Sequence, residues 1–411
     1  MNIYELANKL IRSSEYKSGE EFQKMIDAKI DTFSAIIPNT DTNKILVFNG
    51  IENFSMFEYI KNEFFNMNNE ILNTVTMKDF IKYFNKIILS SKNEKSEITK
   101  DSIKIMFKEI LEIPEKKYNI FKGIYGIKLC NNEIGLKLGP FEIYYQPVFK
   151  KNLEKTYPPP LDFLWDRWRY EYLVTVSVKA RSESKASELA DKMLYMLELF
   201  IYFTIGRYKK EFCVNIISKV TNKYDSYLIF DDETIGANFS NDFVDLVPLD
   251  DAYFTDSSIG NNKIWDLLFI KQKTPIENRI ISAIEWIGKA NCEINNKNRF
   301  LFYVFAIESL LNYQEKNMIT PSIAHSIAES SAMILGKNYE ERITIEKIIK
   351  EIYSIRSALA HGANKEVSDE EMNMAMSISR NIIITFLTDC DLIKMNNIET
   401  FFDYLKNKKY K

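Results

Sequence analysis

The spacing of apolar and polar residues changes twice along the chain, and each change predicts a different kind of structure. Up to about residue 115 the pattern is largely helical, apart from one run, KILVFNGI at 44–51, that reads as a buried strand. Between about 118 and 260, glycines, aromatic residues and alternating apolar positions predict strands. Beyond about 270 only helical spacing remains. We therefore expect an α+β protein, in which a mixed α/β N-terminal region precedes an all-α C-terminal part.

The middle region combines several predicted strands with one helix. Residues 121–129 and 135–148 have the glycines and aromatics of a hairpin, and 171–179 and 223–232 have the composition of further strands. Residues 183–203 lie between these strands and have helical spacing. This pattern predicts an α+β module.

Helix start and stop signals become explicit in the last third. Thr274, Pro275 and Glu277 form a capping box with proline in the first turn, and Ser368 and Glu371 form another. Further helices are predicted at 296–312, 320–336, 339–361, 368–388 and 397–408. Five or six helices joined by short loops predict a helical bundle. The expected domains are 1–117, mostly helical; 118–265, the α+β module; and 270–411, the bundle.

Composition excludes several classes of protein. The 411 residues are 46% hydrophobic and 27% charged, as in globular proteins, and the chain has no apolar run of the roughly 18 residues that a membrane span needs. The N-terminus lacks a signal-peptide pattern. Four scattered cysteines form no zinc or disulfide framework. We therefore expect a cytoplasmic protein with no membrane contact, metal or cofactor. The net charge of −3 argues against a general attraction to nucleic acid.

The segment SIRSALAHG, residues 354–362, carries one of only two histidines at the predicted end of a helix. At 100° per residue, the stripe expected to face the bundle consists of Ile348, Ile352, Ile355 and Leu359. The other side is expected to present Tyr353, Arg356, Ser357, Ala360 and His361. The serine and alanine side chains are small, so this side leaves room for a ligand or another helix.

Spacing alone leaves two interpretations of Arg356 and His361 open. Cations near a helix C-terminus are favoured by the dipole, which makes a purely structural helix end sufficient. The same residue types also suit metal-free RNA cleavage by a 2′-OH. Histidine exchanges protons near neutral pH, and arginine matches phosphate geometry. The expected lack of a DxD-type metal cluster agrees with that route. An acid–base pair of histidines would need His325 or, more simply, a second His361 across a dimer.

The motif IYSIRSALAHG (352–362) resembles the R-x4-H signature of HEPN domains, the higher eukaryote and prokaryote nucleotide-binding helical family. The ApeA-like branch is the most similar, because its motif helix carries Tyr, then Arg-Ser, then His-Gly. FYVFAIESLLN (302–312), with Glu308, and the small-residue helix that ends at Gly336 resemble the preceding helices of that family. The resemblance covers about 275–390. It implies a metal-independent endoribonuclease that is a homodimer with facing motif helices, and Arg356 and His361 map onto its catalytic pair.

The resemblance also implies partners and supporting residues. Proteins of this kind are often bacterial anti-phage, abortive-infection or toxin effectors, so the expected partners are RNA, with tRNA as a candidate, and a phage-derived trigger or an inhibitory protein. The region before 270 loosely resembles the α+β parts expected to sense a trigger or restrain the nuclease. Glu308 is a candidate for orienting Arg356 or for a helix–helix salt bridge. The candidates for supporting the pair or contacting RNA are Ser357, Tyr353 and Asn364.

One departure keeps other functions open. Many active HEPN nucleases have Asn, Asp or His directly after the motif arginine, where this chain has Ser357. The first alternative is a non-catalytic HEPN module that binds RNA, a nucleotide or a protein. The second is a purely structural helical dimerisation domain.

Overall fold

The computed structural model describes residues 2–27, 34–40, 42–148, 150, 171–206, 214–216, 225–229, 235–239, 246–270, 272–313, 323–362 and 365–409. Small sheets lie in the N-terminal half and helices dominate the C-terminal half, which confirms the α+β prediction. By their internal contacts, the residues form two units, Met1–Ile120 with Ser177–Ala190, and Phe121–Val176 with Asp191–Lys411. Within the described ranges, no helix is both long and apolar enough to span a bilayer.

The first unit contains a three-stranded antiparallel sheet. Its strands are β1 (Glu15–Ser18), β2 (Ser34–Asn39) and β3 (Lys44–Asn49), in the order β1-β3-β2. The strand predicted at 44–51 is confirmed as β3, in which three consecutive residues are buried. Neither β1 nor β2 was predicted. β1 has only four residues and none of them is buried, so it carries no apolar alternation.

Helices surround this sheet and bury an aromatic core. They are α1 (Ile3–Ser13), α2 (Gly19–Asp27), α3 (Ile51–Asn66), α4 (Asn69–Thr74), α5 (Met77–Glu94) and α6 (Lys100–Leu111). The Phe84 ring contacts those of Phe64 and Phe80 at the centre, and all three are fully buried. Aromatic rings bring large apolar areas, so the contact of α3 with α5 is a main source of stability in this unit.

Asp79, in the first turn of α5, joins that helix to the start of α7 (Glu183–Ile205). Its carboxylate accepts hydrogen bonds from the hydroxyls of Ser182 at 2.6 Å and Thr76 at 2.8 Å. Lys82 contacts the other carboxylate oxygen at 3.1 Å. Burial tends to raise the pKa of Asp79, but these hydrogen bonds and the lysine charge outweigh it and lower the pKa to about 2. The structure therefore favours the charged form strongly.

The strands of the middle region follow the predicted pattern. A four-stranded sheet has the order β4-β8-β7-β6, from β4 (Lys116–Ile124), β6 (Leu136–Leu138), β7 (Phe141–Tyr145) and β8 (Tyr172–Ala180). β8 confirms the strand at 171–179. β6 and β7 form a hairpin within 135–148, but the prediction that 121–129 belongs to that hairpin is wrong, because β4 pairs with β8 instead. The helix predicted at 183–203 is α7.

Shorter strands complete the middle region. β5 (Ile127–Lys128) pairs in parallel with β11 (Val247–Pro248). The strand predicted at 223–232 is β9 (Asp225–Ile229), which pairs with β10 (Ile235–Phe239). A short helix, α8 (Asn261–Phe269), then precedes the bundle.

The bundle contains the predicted helices. They are α9 (Pro275–Cys292), α10 (Asn296–Leu311), α11 (Ile323–Leu335), α12 (Tyr339–Ala360), α13 (Asp369–Thr388) and α14 (Ile398–Lys409). Both predicted capping boxes form, at Thr274 with Glu277 and at Ser368 with Glu371. Thr320 and Pro321, the predicted start of the third helix, lie outside the described residues.

A close helix contact fixes α9 against α7. A Cβ on Gly288 would lie 2.4 Å from the Leu199 carbonyl oxygen, so only glycine allows this approach. Next to it, the Asn291 amide donates to the Tyr202 carbonyl at 2.9 Å and accepts from the Tyr303 hydroxyl at 2.6 Å. These buried bonds link α7, α9 and α10, and α10 carries Glu308.

Candidate functional site

The Arg356–His361 segment ends α12 through a left-handed glycine. The His361 N–H donates to the Ser357 carbonyl at 3.1 Å, and the Gly362 N–H donates to the Leu359 carbonyl at 3.2 Å. Gly362 has a φ of +75°, a conformation that residues with a Cβ adopt only with strain. The chain therefore leaves the helix at His361. Its exposed side chain stands at the C-terminus, where the helix dipole favours a cation.

The buried face of α12 is wider than the predicted stripe. Ile352 and Ile355 are buried as expected, but Ile348 and Leu359 are only half-buried. The expectation that Tyr353 lies on the solvent side is wrong, because its side chain is 9% exposed. α12 contacts α10, α11 and α13, so several neighbours cover an arc that a single apolar stripe underestimates.

Arg356 lies beside Glu308 of α10. The Arg356 Nε and Glu308 Oε1 atoms are 3.4 Å apart, and the side chains are 35% and 20% exposed. The Nε atom is buried and makes no hydrogen bond of normal geometry. The terminal amino groups of this guanidinium have no partner in the part of the chain that the structure describes. One side of Arg356 is thus held by a carboxylate, while its amino groups are left without a bond.

Tyr353 completes this group from one turn earlier on α12. Its hydroxyl is buried and has no hydrogen-bond partner of normal geometry among the described residues. Burial raises the pKa of Tyr353, the negative charge of Glu308 raises it further, and Arg356 partly opposes both. Tyr353 therefore stays neutral and packs beside the ion pair, away from solvent.

Arg279 of α9 fixes the end of α10, three residues from Glu308. Its guanidinium donates to the carbonyls of Ser309 and Leu310 at 3.3 Å and of Asn312 at 3.0 Å. The last carbonyls of a helix lack intrahelical partners, so these bonds satisfy groups that otherwise need water. Burial lowers the pKa of Arg279. No local pattern predicts this role, because about 30 residues separate the donor from its acceptors.

The structure does not bring all the predicted residues together. The side chains of His361 and Ser357 are exposed and form no hydrogen bond or ion pair with any residue the structure describes. Asn364 lies outside the described residues. The second histidine, His325, is exposed on the first turn of α11. The contacting set is Tyr353, Arg356 and Glu308, with His361 at the end of the same helix.

One group of possible metal ligands corrects the expectation that no DxD-type cluster exists. Asp389, Cys390 and Asp391 have ligand atoms within 4.8 Å of one another. A turn after α13 accounts for the grouping, since Asp389 Oδ1 accepts the backbone N–H groups of Asp391 at 2.8 Å and Leu392 at 3.2 Å. These hydrogen bonds within the turn explain the grouping without an ion.

No family model, curated protein or solved structure matches the chain. The HEPN resemblance therefore rests on the motif residues and on the helical order of 275–390, and it stays a prediction. Chemically, the site combines a partly exposed arginine that can bind an anion with an exposed histidine that can exchange a proton.

Proposed function

We propose that the chain is a metal-independent endoribonuclease of the HEPN type, with Arg356 and His361 as its catalytic pair. The observation that supports this most is the environment of Arg356. Its Nε side lies 3.4 Å from Glu308, and its amino groups have no partner among the described residues. An arginine held in this way can bind a phosphate through two parallel hydrogen bonds.

The reaction assigned to this site is internal transesterification of RNA. The ribose 2′-oxygen attacks the adjacent phosphorus, the bond from phosphorus to the 5′-oxygen breaks, and the products are a 2′,3′-cyclic phosphate and a 5′-hydroxyl. A histidine takes the 2′-OH proton, and a protonated histidine supplies one to the leaving oxygen. Arg356 stabilises the negative charge that develops on the phosphoryl oxygens.

A homodimer would supply both proton-transfer groups as two copies of His361. The exposed residues near the end of α12 include Ser354, Ser357 and Ala360. Their small side chains would let an RNA backbone or a second α12 approach closely. We propose that two motif helices face each other in this way.

The proposed setting is bacterial anti-phage defence. The protein would act in the cytoplasm as an abortive-infection effector or toxin, with tRNA among its candidate substrates. A phage-derived trigger or an inhibitory partner would act on the region before residue 270.

The test is cleavage of total RNA and tRNA by purified protein in EDTA, beside Arg356→Ala and His361→Ala. His325→Ala is the matched control, because it removes the other exposed histidine of the bundle. We expect EDTA-resistant cleavage with 2′,3′-cyclic phosphate ends, lost in both motif variants and kept in the control. Sedimentation and circular dichroism should show that the variants keep the fold and the dimer.

Two results would contradict the proposal. Cleavage that survives in both motif variants would place the activity elsewhere or in a contaminant. A wild-type protein that binds RNA but does not cut it, even with phage extract added, would favour the non-catalytic binding module. Ser357 after the motif arginine is the observation that favours this second function.

A further inference from the structure

Three aromatic rings contact one another on the partly exposed side of α9 and α10. The Trp286 ring centroid lies 5.4 Å from that of Phe302 and 5.2 Å from that of Phe305, and the phenylalanine rings are 6.4 Å apart. All three residues are half-buried. Other residues fill the core between these helices, namely Ile280, Ile284, Ile287, Phe300, Tyr303 and Ile307. We call the three rings the aromatic cluster.

A cation lies at this cluster. Lys289 Nζ is 4.6 Å from the centroid of the Trp286 ring, within the range of a cation–π contact. The neighbouring acidic group is Glu285, which is half-buried. Burial raises the pKa of Glu285 and the charge of Lys289 lowers it. Glu285 and Lys289 thus place one acidic and one basic side chain beside the rings.

The aromatic cluster is continuous with the candidate site. From Leu301 onwards, the half-buried positions of α10 are Leu301, Phe302, Phe305, Glu308 and Ser309, which lie within an arc of about 120°. Phe305 precedes Glu308 by three residues, so their Cβ atoms are about 5–6 Å apart on one face. The rings thus lead along α10 to the carboxylate that contacts Arg356.

The accessible area of the aromatic cluster fits the binding of RNA bases better than the binding of a protein partner. Aromatic side chains have areas of roughly 150–250 Å² each, so three half-buried rings leave at most on the order of 200 Å² accessible. A stable protein interface needs about 800 Å² on each partner. Aromatic rings beside a lysine are, in contrast, the usual means of binding unpaired bases without sequence preference.

We propose that Trp286, Phe302 and Phe305 form a base-stacking subsite for single-stranded RNA, which holds nucleotides next to the phosphate bound by Arg356. This subsite rests on the proposed function, and it adds a substrate class: RNA whose bases are unpaired beside the cleaved bond. Lys289, whose Nζ lies over the Trp286 ring, contributes its charge to the RNA backbone. Duplex RNA, whose bases are already stacked on each other, is a poor ligand of the subsite.

The test measures binding in a His361→Ala background, so that RNA stays intact. A fluorescent short single-stranded oligoribonucleotide is compared by anisotropy with an oligomer of the same length and charge that has abasic sites at its centre. Phe305→Leu and Trp286→Leu remove rings of the cluster. Phe402→Leu is the matched control, because it removes a half-buried ring that stacks on Tyr313 at 4.8 Å elsewhere in the bundle.

We expect the unmodified cluster to bind the complete oligomer about 10-fold more tightly than the abasic one. Phe305→Leu and Trp286→Leu should each reduce that ratio towards one, while Phe402→Leu should leave it unchanged. If Phe305→Leu and Trp286→Leu weaken the binding of both oligomers equally, the ratio of the two affinities stays the same. That result would indicate a general folding defect and would overturn the subsite. A change of oligomeric state in the cluster variants, with the ratio unchanged, would assign the rings to an interface between two copies and would also overturn it.

The base-stacking subsite and the proposed nuclease function can be refuted independently of each other. Base-dependent binding by a wild-type protein that never cleaves RNA would support the subsite and refute the nuclease. Cleavage that depends on Arg356 and His361, with no base-dependent binding, would refute the subsite alone.

Discussion

Replacing Asp79 by asparagine tests how the first unit is held together. The pKa of Asp79 falls from 3.8 to about 2 in the folded protein, and its side chain is only 15% exposed. At about 1.4 kcal/mol per pKa unit, this shift stabilises the folded unit by about 2 kcal/mol at neutral pH. The folded pKa is depressed, so the contribution is present above pH 3.8. It is lost as the pH falls through about 2.

The assay is urea unfolding between pH 6 and pH 3, followed by circular dichroism, with hydrogen exchange of α5 peptides to locate the change. The four tryptophans lie outside Met1–Ile120 and Ser177–Ala190, so their fluorescence does not report on this unit. Asp79→Asn should cost about 2 kcal/mol at pH 6 and about half of that at pH 3. Asp101→Asn removes an 84%-exposed carboxylate near the start of α6 and should cost little. An Asp79→Asn cost that does not change with pH would refute the role of the charge.

Three further changes probe the second unit. Gly288→Ala forces a Cβ against the Leu199 carbonyl and should lower the free energy of unfolding by about 1–3 kcal/mol, measured in urea by tryptophan fluorescence. Tyr353→Phe removes a buried hydroxyl without a normal hydrogen bond, so the free energy of unfolding should stay equal or rise by about 1 kcal/mol. A clear loss of stability would mean that the hydroxyl bonds to Glu308 in solution. Glu308→Gln should slow RNA cleavage but keep or increase RNA affinity, because it frees Arg356 and removes a negative charge; an unchanged cleavage rate would show that Glu308 does not position the arginine.

Local signals were sufficient for the helices of the bundle. Thr274 with Glu277 and Ser368 with Glu371 form capping boxes in the structure, and Gly362 ends α12 as its position predicts. These devices depend on residues within four positions of each other, so the sequence displays them directly. β1 was missed for the opposite reason, since its pairing with β3 depends on a distant strand.

The parts of the candidate site that could not be predicted depend on distant neighbours. A helical wheel places Tyr353 away from one apolar stripe, but it cannot show that three helices contact α12. The bonds from Arg279 to the end of α10, and the contact of Trp286 with Phe302 and Phe305, also join residues of different helices. The pairing of Glu308 with Arg356 was among the candidates only because a family resemblance pointed to it.

Gly362 has a consequence for any survey of substitutions across this chain. A Cβ at this position would meet no atom within 4 Å, yet the backbone has a φ of +75°. Almost every replacement would therefore be disfavoured for conformational reasons, with asparagine and aspartate the best tolerated. In a mutational scan, position 362 would resemble a contact residue beside His361 while touching nothing. The low tolerance of this position to substitution would reflect the backbone conformation that holds His361 at the helix end. Without the backbone angle, the scan would be misinterpreted as evidence for a side-chain contact at position 362.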